Sequence, residues 1–174
     1  IRNCDWSSDV CSSDLGEFTG ESGLLHALLH VGRLQQDPAM IERALHLAEA
    51  LGAAVARDRT LDLLGGAAGH LSVLCGLHEA TGATSVKAAI RATAAHLLAH
   101  ARTMPRGLAW TTAGAATPLT GFSHGAAGIS YALLRAARIL DDEPLRLAAA
   151  QGLAYERTQF LPEAGNWRDL RRPA

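Results

Sequence analysis

A histidine stands directly before a glycine pair in the stretch Gly121–Gly128, which reads GFSHGAAG. The apolar residues from Ile129 to Leu140 predict a helix, so His124 is expected just before a helix N-terminus. Unpaired N–H groups there give a partial positive charge, which disfavours a charged imidazolium and leaves a neutral ring as a base near neutral pH. The same position also suits a histidine that only caps the helix or fills the core.

A carboxylate occupies a related position earlier in the chain. Asp62 lies four residues before a second glycine pair, Gly66-Ala67-Ala68-Gly69. Negative charge at this end of the following helix is favourable to the helix dipole. Asp62 is therefore a second candidate for chemistry, and structural capping is the alternative.

Other reactive side chains give weaker signals. His26 and His30 are four residues apart, as are His96 and His100, and this spacing can place a metal on one helix face. No glutamate follows the first histidine of either pair, as a zinc protease motif needs, and no third ligand is obvious. Cys75 lies among apolar residues and is predicted to be buried filler. Two tryptophans are interpreted as packing residues: Trp110 and Trp167.

The element that must position these residues is a repeat. The Gly-x-x-Gly pattern occurs three times, at Gly20–Gly23, Gly66–Gly69 and Gly125–Gly128, with its first glycines 46 and then 59 residues apart. Small residues there let the chain approach its neighbour closely at a helix start. Only the third copy carries a histidine before its first glycine.

Each copy is followed by a pair of predicted helices. Hydrophobic spacing places helices after Gly23, around Ile41–Leu51, from Gly66 to about Ala80, from Val86 to about Arg102, from Gly125 to Leu140 and from Leu145 to about Phe160, with a short extended piece at Leu108–Thr112. Such hairpins bury their faces only by stacking on neighbours, as an open solenoid or a closed α/α toroid. The apolar third repeat favours two layers, with glycine-started helices inside.

Composition agrees with packed helices. Of 174 residues, 48% are hydrophobic and 5% aromatic, and the net charge is −1. Scarce β-branched and aromatic residues disfavour sheets, and the small charge gives no field for nucleic acid. No apolar run is long enough for an integral membrane segment, and three cysteines give no disulfide framework. A cytoplasmic location is expected.

The first 15 residues differ from the rest. Residues 1–15 are polar and serine-rich, and they look like a translated sequencing adapter. They are predicted to be disordered and to carry no function, which also removes Cys4 and Cys11 from the chemistry. The folded domain is then expected to span residues 16–174.

Three motifs together resemble the lanthionine synthetase cyclase (LanC-like) family. They are the glycine anchors with Gly121–Gly128, the stretch Ala154–Arg157, and the stretch Gly165–Arg171. The resemblance covers residues 16–174 and is closest to the C-terminal cyclase domain of class II (LanM-type) synthetases. It implies an all-α fold, the α/α toroid or double ring of helical hairpins, with only about three hairpins present here.

The resemblance also implies a reaction. Such enzymes form thioether rings by adding cysteine thiolates of a leader-bearing precursor peptide to dehydroalanine or dehydrobutyrine, with zinc activating the thiolate. In the family pattern His124 matches the acid/base that protonates the resulting enolate, and Asp62 matches an aspartate that orients or assists it. A toroid would bring both to one central cavity.

The chain departs from the family pattern in one respect. The family's zinc ligands, two cysteines and a histidine downstream of the Asn166–Leu170 segment, have no counterpart in this sequence, and Cys75 lies in the wrong repeat to replace them. The sequence therefore predicts a fragment without zinc ligands, inactive alone, whose open edges expose apolar faces. The full-length enzyme is expected to be a monomer.

Two other functions compete with this interpretation. A non-catalytic helical-repeat scaffold that binds a peptide or small thiol would give His124 no role. A toroid glycosidase would need paired carboxylates at the helix ends, and Asp62 alone does not supply a pair.

Overall fold

The computed structural model describes residues 15–18, 20–112 and 114–171 as three helical hairpins. The six helices are α1 (Glu21–Gln35), α2 (Pro38–Leu51), α3 (Ala67–Thr81), α4 (Val86–Ala99), α5 (Ala126–Leu140) and α6 (Glu143–Thr158). A single 3-10 turn, Val55–Arg57, follows α2, so the chain does not continue the helix beyond Gly52. The all-α class predicted from the sequence is confirmed, as is the pairing of helices after each glycine anchor.

The glycine-started helices form one layer. Helix α3 packs against both α1 and α5, while each of α2, α4 and α6 packs against the glycine-started helix before it. Helix α3 is the most enclosed, because ten of its fifteen residues are buried. This arrangement agrees with the predicted inner and outer layers of a toroid segment.

The glycine anchors work in the same way in each repeat. A Cβ on the second glycine would overlap the carbonyl oxygen six residues earlier in α3 and α5, and it would crowd that oxygen in α1. The residues concerned are Gly23, Gly69 and Gly128, which face Glu17, Leu63 and Phe122. The loop before each inner helix therefore lies directly against the helix start, which only glycine permits.

The outer helices α2 and α6 begin differently. Asp37 and Asp142 accept hydrogen bonds from the backbone N–H of Ala39 (2.9 Å) and Leu145 (3.0 Å), and a proline occupies the first turn of each helix. These are local N-caps, in which an Asx side chain satisfies an unpaired N–H group.

The two ends of the array expose apolar side chains. Leu24 and Leu34 on α1 are exposed, as are Leu134 on α5 and Leu147 on α6. Helix α5 is therefore less buried than its sequence indicates, because one face carries Tyr131 and Leu134 in solvent.

Short strands close the loops after α4 and α6. Strand β1 (Arg102–Thr103) pairs with β2 (Leu108–Ala109), and β3 (Phe160–Leu161) pairs with β4 (Asn166–Trp167), both antiparallel. Helices α4 and α6 consequently end earlier than predicted, at Ala99 and Thr158, because the chain turns into these hairpins. The predicted extended piece at 108–112 is reduced to two residues.

The predicted tail lies almost wholly outside the described residues. Residues 1–14 are among those not described, and Leu15 is the exception. Leu15, the last residue assigned to the tail, is buried against Leu51 and Val55. No helix in the described part of the chain has the length and apolar character needed to cross a bilayer.

Candidate functional site

His124 and Asp62 meet between the starts of α3 and α5. The Nδ1 atom of His124 lies 2.7 Å from Oδ2 of Asp62, although 62 residues separate them. The aspartate side chain is 4% exposed and the histidine side chain 52% exposed. Because a carboxylate only accepts hydrogen bonds, Nδ1 carries the proton and Nε2 of a neutral ring keeps its lone pair. Asp62 is therefore the buried, fixed member of the pair, and His124 is the accessible one.

Backbone contacts hold Asp62 in place. Its Oδ1 accepts a hydrogen bond from the N–H of Gly65 at 2.8 Å. Its carbonyl oxygen accepts from the N–H groups of Gly66 and Gly69, which join the loop to the first turn of α3. Asp62 thus uses one carboxylate oxygen for the loop and the other for His124. It does not cap α3 with its side chain, as the capping alternative required.

The loop that carries His124 is held by the loop before α3 and by Thr112, which precedes it in the chain. The N–H of Leu63 donates to the carbonyl oxygen of Ser123 at 3.2 Å, which ties the two loops together next to the pair. The hydroxyl of the buried Thr112 donates to the carbonyl oxygen of His124 at 3.0 Å. The histidine backbone is therefore fixed, and only its ring faces solvent.

The exposed side of His124 opens into a cleft of about 790 Å³. Its walls come from the loop before α5, the first turn of α5, and the segment that includes β4. Phe122 stacks near Tyr131, with ring centroids 5.3 Å apart, and Trp167 meets the edge of Phe160 at 4.9 Å. Trp167 packs on Phe160 and donates to the carbonyl oxygen of Glu156, and half of its surface remains exposed.

A buried carboxylate lies in the wall of the same cleft. Glu156 of α6 accepts hydrogen bonds at Oε1 from the N–H groups of Gly121 (2.7 Å) and Ala127 (2.8 Å). Burial raises the pKa of Glu156 above its ordinary value, and these two hydrogen bonds oppose that rise. Ionisation of Glu156 therefore costs desolvation, next to the loop that carries His124.

The side chains of the described residues do not fit a zinc site. No group of three or more His, Cys, Asp or Glu residues within the described ranges is arranged to hold a metal ion. Cys75 is fully buried in the core, and burial raises the pKa of its thiol to about 12, so it is no source of thiolate. Its interpretation as buried filler is confirmed.

The histidine pairs are occupied by other contacts. His26 pairs with Glu17 at 3.0 Å, and its ring lies 6.2 Å from that of His30. His96 contacts the carbonyl oxygen of Asp58, and His100 contacts that of His96. Neither pair is joined by a third ligand in the part of the chain that the structure describes.

Several residues of this site were not identified from the sequence. Asp58, Thr112 and Glu156 support the two loops by binding backbone groups, and a sequence pattern does not show which backbone group a side chain will bind. Trp110 is fully buried and donates to the carbonyl oxygen of Leu97, which confirms its packing role.

An array of glycine-started helical hairpins with a His–Asp pair at two adjacent helix starts defines the class of protein. The sequence matches the family described as "Lanthionine synthetase C-like protein" over residues 2–173. The chain therefore belongs to the lanthionine synthetase C-like family. No significant match to a curated protein accompanies this family match.

Proposed function

We propose that the chain is part of a lanthionine cyclase of the class II (LanM) type, in which His124 and Asp62 transfer the proton of thioether ring formation. The observation that carries the proposal is the 2.7 Å contact between the His124 ring and Asp62, with the other ring nitrogen facing an open cleft. The membership of the family supports the reaction, and the three motifs of the sequence support the subclass.

The proposed step begins when a cysteine thiolate adds to the β-carbon of a dehydroalanine or dehydrobutyrine. A C–S bond forms, the C=C π pair moves to the α-carbon, and an enolate results. A protonated His124 then gives its Nε2 proton to the α-carbon, which leaves a neutral ring. Asp62 orients the ring through Nδ1–H and stabilises the imidazolium before transfer. No step passes through zinc, because the described side chains offer no site for it.

The cleft suits a peptide substrate. A dehydrated residue within hydrogen-bond reach of Nε2 places its neighbours against the walls that carry Phe122 and Trp167. Aromatic walls bind an extended apolar or mixed segment without requiring one fixed sequence. The partner proposed for the cleft is accordingly a leader-bearing precursor peptide, with the full-length enzyme acting as a monomer in the cytoplasm.

The proposal is tested with a nucleophile that needs no activation. An aromatic thiol that is already ionised at pH 6 is mixed with a dehydroalanine peptide and the 174-residue chain, and thioether formation is followed by mass spectrometry. The chain should accelerate addition in a saturable way, because the thiol needs no metal to ionise it and His124 supplies the proton to the α-carbon. The variant His124→Ala should lose about 10²-fold in rate, the lower end of general acid catalysis.

The matched control is His46→Ala, which removes an exposed histidine of α2. This control should leave the addition rate unchanged. His124→Gln should be as slow as His124→Ala, because glutamine fills the space but supplies no transferable proton. Equal rates for the wild-type chain and His124→Ala, with peptide binding retained, would favour a peptide-binding scaffold instead.

A further inference from the structure

A single carboxylate oxygen of Glu156 bridges two backbone N–H groups on either side of His124. The groups belong to Gly121 in the loop and Ala127 in the first turn of α5, and they are six positions apart. His124 lies between them in the chain. The bridge therefore sets how the loop meets the helix at the one place where the histidine emerges.

The same construction occurs around Asp62. One oxygen of the buried Asp58, Oδ2, accepts from the N–H groups of Leu61 and Ala67, each at 3.0 Å. These groups are also six positions apart, one in the loop and one in the first turn of α3, and Asp62 lies between them. The position of the bridging carboxylate differs, because Asp58 is in the same loop as Asp62 and Glu156 is on α6.

The loop residue at each bridge has a positive φ angle. Leu61 has φ +63°, and Gly121 has φ +100°. The left-handed region is costly for a leucine and is accepted here while its N–H is held by Asp58. Each bridged loop residue thus sits at a sharp turn that presents the following residues toward the neighbouring loop, where Leu63 N–H meets the Ser123 carbonyl oxygen.

Stability alone does not account for the Glu156 charge. Its pKa is raised in the folded chain, so ionisation costs the fold stability above that pKa, and the cost disappears when the pH falls below the unfolded value. A neutral glutamine would avoid this cost. A carboxylate nevertheless occupies the position, where its hydrogen bonds to N–H groups are stronger than those of an amide.

We propose that Asp58 and Glu156 are positioning residues, each of which clamps the loop bearing one member of the His124–Asp62 pair and so sets the distance between them. The catalytic consequence rests on the proposed function, whereas the geometric consequence does not. Loss of either clamp should loosen the Nδ1–H···Oδ2 hydrogen bond even where the helices remain folded, because each clamp holds the N–H of a loop residue, Leu61 or Gly121, against the first turn of the following helix.

The test uses the full chain with ¹⁵N-labelled histidine. The hydrogen-bonded Nδ1–H signal of His124, assigned by its absence in His124→Gln, is compared in the wild type, Glu156→Ala, Glu156→Gln, Asp58→Ala and Asp58→Asn. The alanine variants should lose the signal to solvent exchange, and the amide variants should keep part of it. In the aromatic-thiol assay, kcat should fall about tenfold or more in the alanine variants with little change in KM, because misplaced groups lose rate without losing binding.

The matched control is Asp37→Ala, which removes a helix-capping carboxylate that brackets neither member of the pair. It should lower the melting temperature but leave the His124 signal and kcat unchanged. Glu156→Gln should keep or raise the melting temperature at pH 7 while weakening the signal, which a purely structural role would not produce.

An unchanged His124 signal in folded Glu156→Gln and Asp58→Asn, together with unchanged kcat, would overturn the inference. If the wild-type chain shows the signal but adds no thiol, the proposed function fails, and the signal in the variants still decides whether the clamps exist.

Discussion

The inner and outer helices of this chain begin in different ways. Helices α2 and α6 start from their own aspartate and proline, within three residues of sequence. Helices α3 and α5 start at glycine, with no cap from the N-cap side chain, and their first-turn N–H groups are bonded by carboxylates 9 and 29 residues away. The starts of α2 and α6 are therefore fixed locally, and those of α3 and α5 are fixed by the fold. The candidate site lies at the inner starts.

The starts of α3 and α5 also differ from each other. Both read Gly-Ala-Ala-Gly, and both place the second glycine against the loop carbonyl six residues earlier. The residue before the first glycine is Gly65 in one and His124 in the other. The loop before α3 supplies the buried acceptor, Asp62, and the loop before α5 supplies the exposed ring, His124. Neighbouring copies of the same backbone arrangement therefore supply the two members of the pair.

The largest expected effect comes from substituting the second glycine at the start of α3 or α5. Gly69→Ala and Gly128→Ala should each destabilise the chain by about 3 kcal/mol or more, because the new Cβ overlaps a carbonyl oxygen that cannot move without breaking the loop. Urea unfolding followed by circular dichroism measures the loss.

The control for this prediction is another glycine of α3. A Cβ at Gly76 would lie 3.6 Å from Arg135 Nη2, an ordinary contact. Gly76→Ala should therefore stabilise the chain by roughly 0.5–1 kcal/mol, since alanine reduces the entropy lost on helix formation. Equal losses for all three variants would show that the glycine anchors have no special role.

A second prediction concerns His70, a position at which the buried helix α3 differs from α5. His70 of α3 is fully buried, contacts Ser22 Oγ through Nδ1 at 2.7 Å, and corresponds by position to Ile129 of α5. Burial lowers its pKa from 6.5 to about 4. The unfolded chain therefore binds a proton at pH values where the folded chain does not, so this contribution to stability is present above pH 6.5 and is lost as the pH falls to about 4.

The loss attributable to His70 should approach 3 kcal/mol (order of magnitude) across that interval. The variant His70→Ile, which copies α5, should remove this component of the pH dependence of unfolding, although it leaves Ser22 without its partner. Replacing the exposed His46 by isoleucine serves as the control and should leave the slope unchanged. A His70→Ile chain that retains the wild-type slope between pH 6.5 and 4 would contradict the assignment.

The smallest expected effect concerns the outer starts. Asp37→Ala and Asp142→Ala should each cost about 1 kcal/mol, the usual value for loss of an N-cap aspartate. Denaturant midpoints measure the change, and the serine variants should recover most of it because a hydroxyl also accepts the N–H bond. A loss as large as that of Gly128→Ala would remove the distinction between local and fold-dependent helix starts.

Sequence reasoning reached the repeated part of the fold because its signals are local. Helical spacing and glycine anchors predict six helices in three hairpins, since each depends on residues a few positions apart. The strands β3 and β4 were not predicted, because strands of two residues each are too short to show a recognisable sequence pattern. Helix α5 was predicted as nearly buried throughout, since composition does not show which face meets a neighbour.

The candidate site was only partly accessible to the same reasoning. His124 and Asp62 were identified by residue type, by position at a helix start and by resemblance to a family. The carboxylates that hold them were not, because Glu156 acts across 35 residues on Gly121 and looks like any charged residue of a helix. Trp167 was interpreted as a packing residue, and its ring does pack on Phe160, while half of its surface is exposed beside the cleft.

The central claim is that His124 and Asp62 act as one unit, and a double-variant cycle tests it most directly. The rate of aromatic-thiol addition is measured for His124→Ala, for Asp62→Asn, and for the two combined. Because Asp62 acts only through the ring, the combined variant should be as slow as His124→Ala alone. A combined loss equal to the product of the two single losses would contradict the claim and show that the residues act independently.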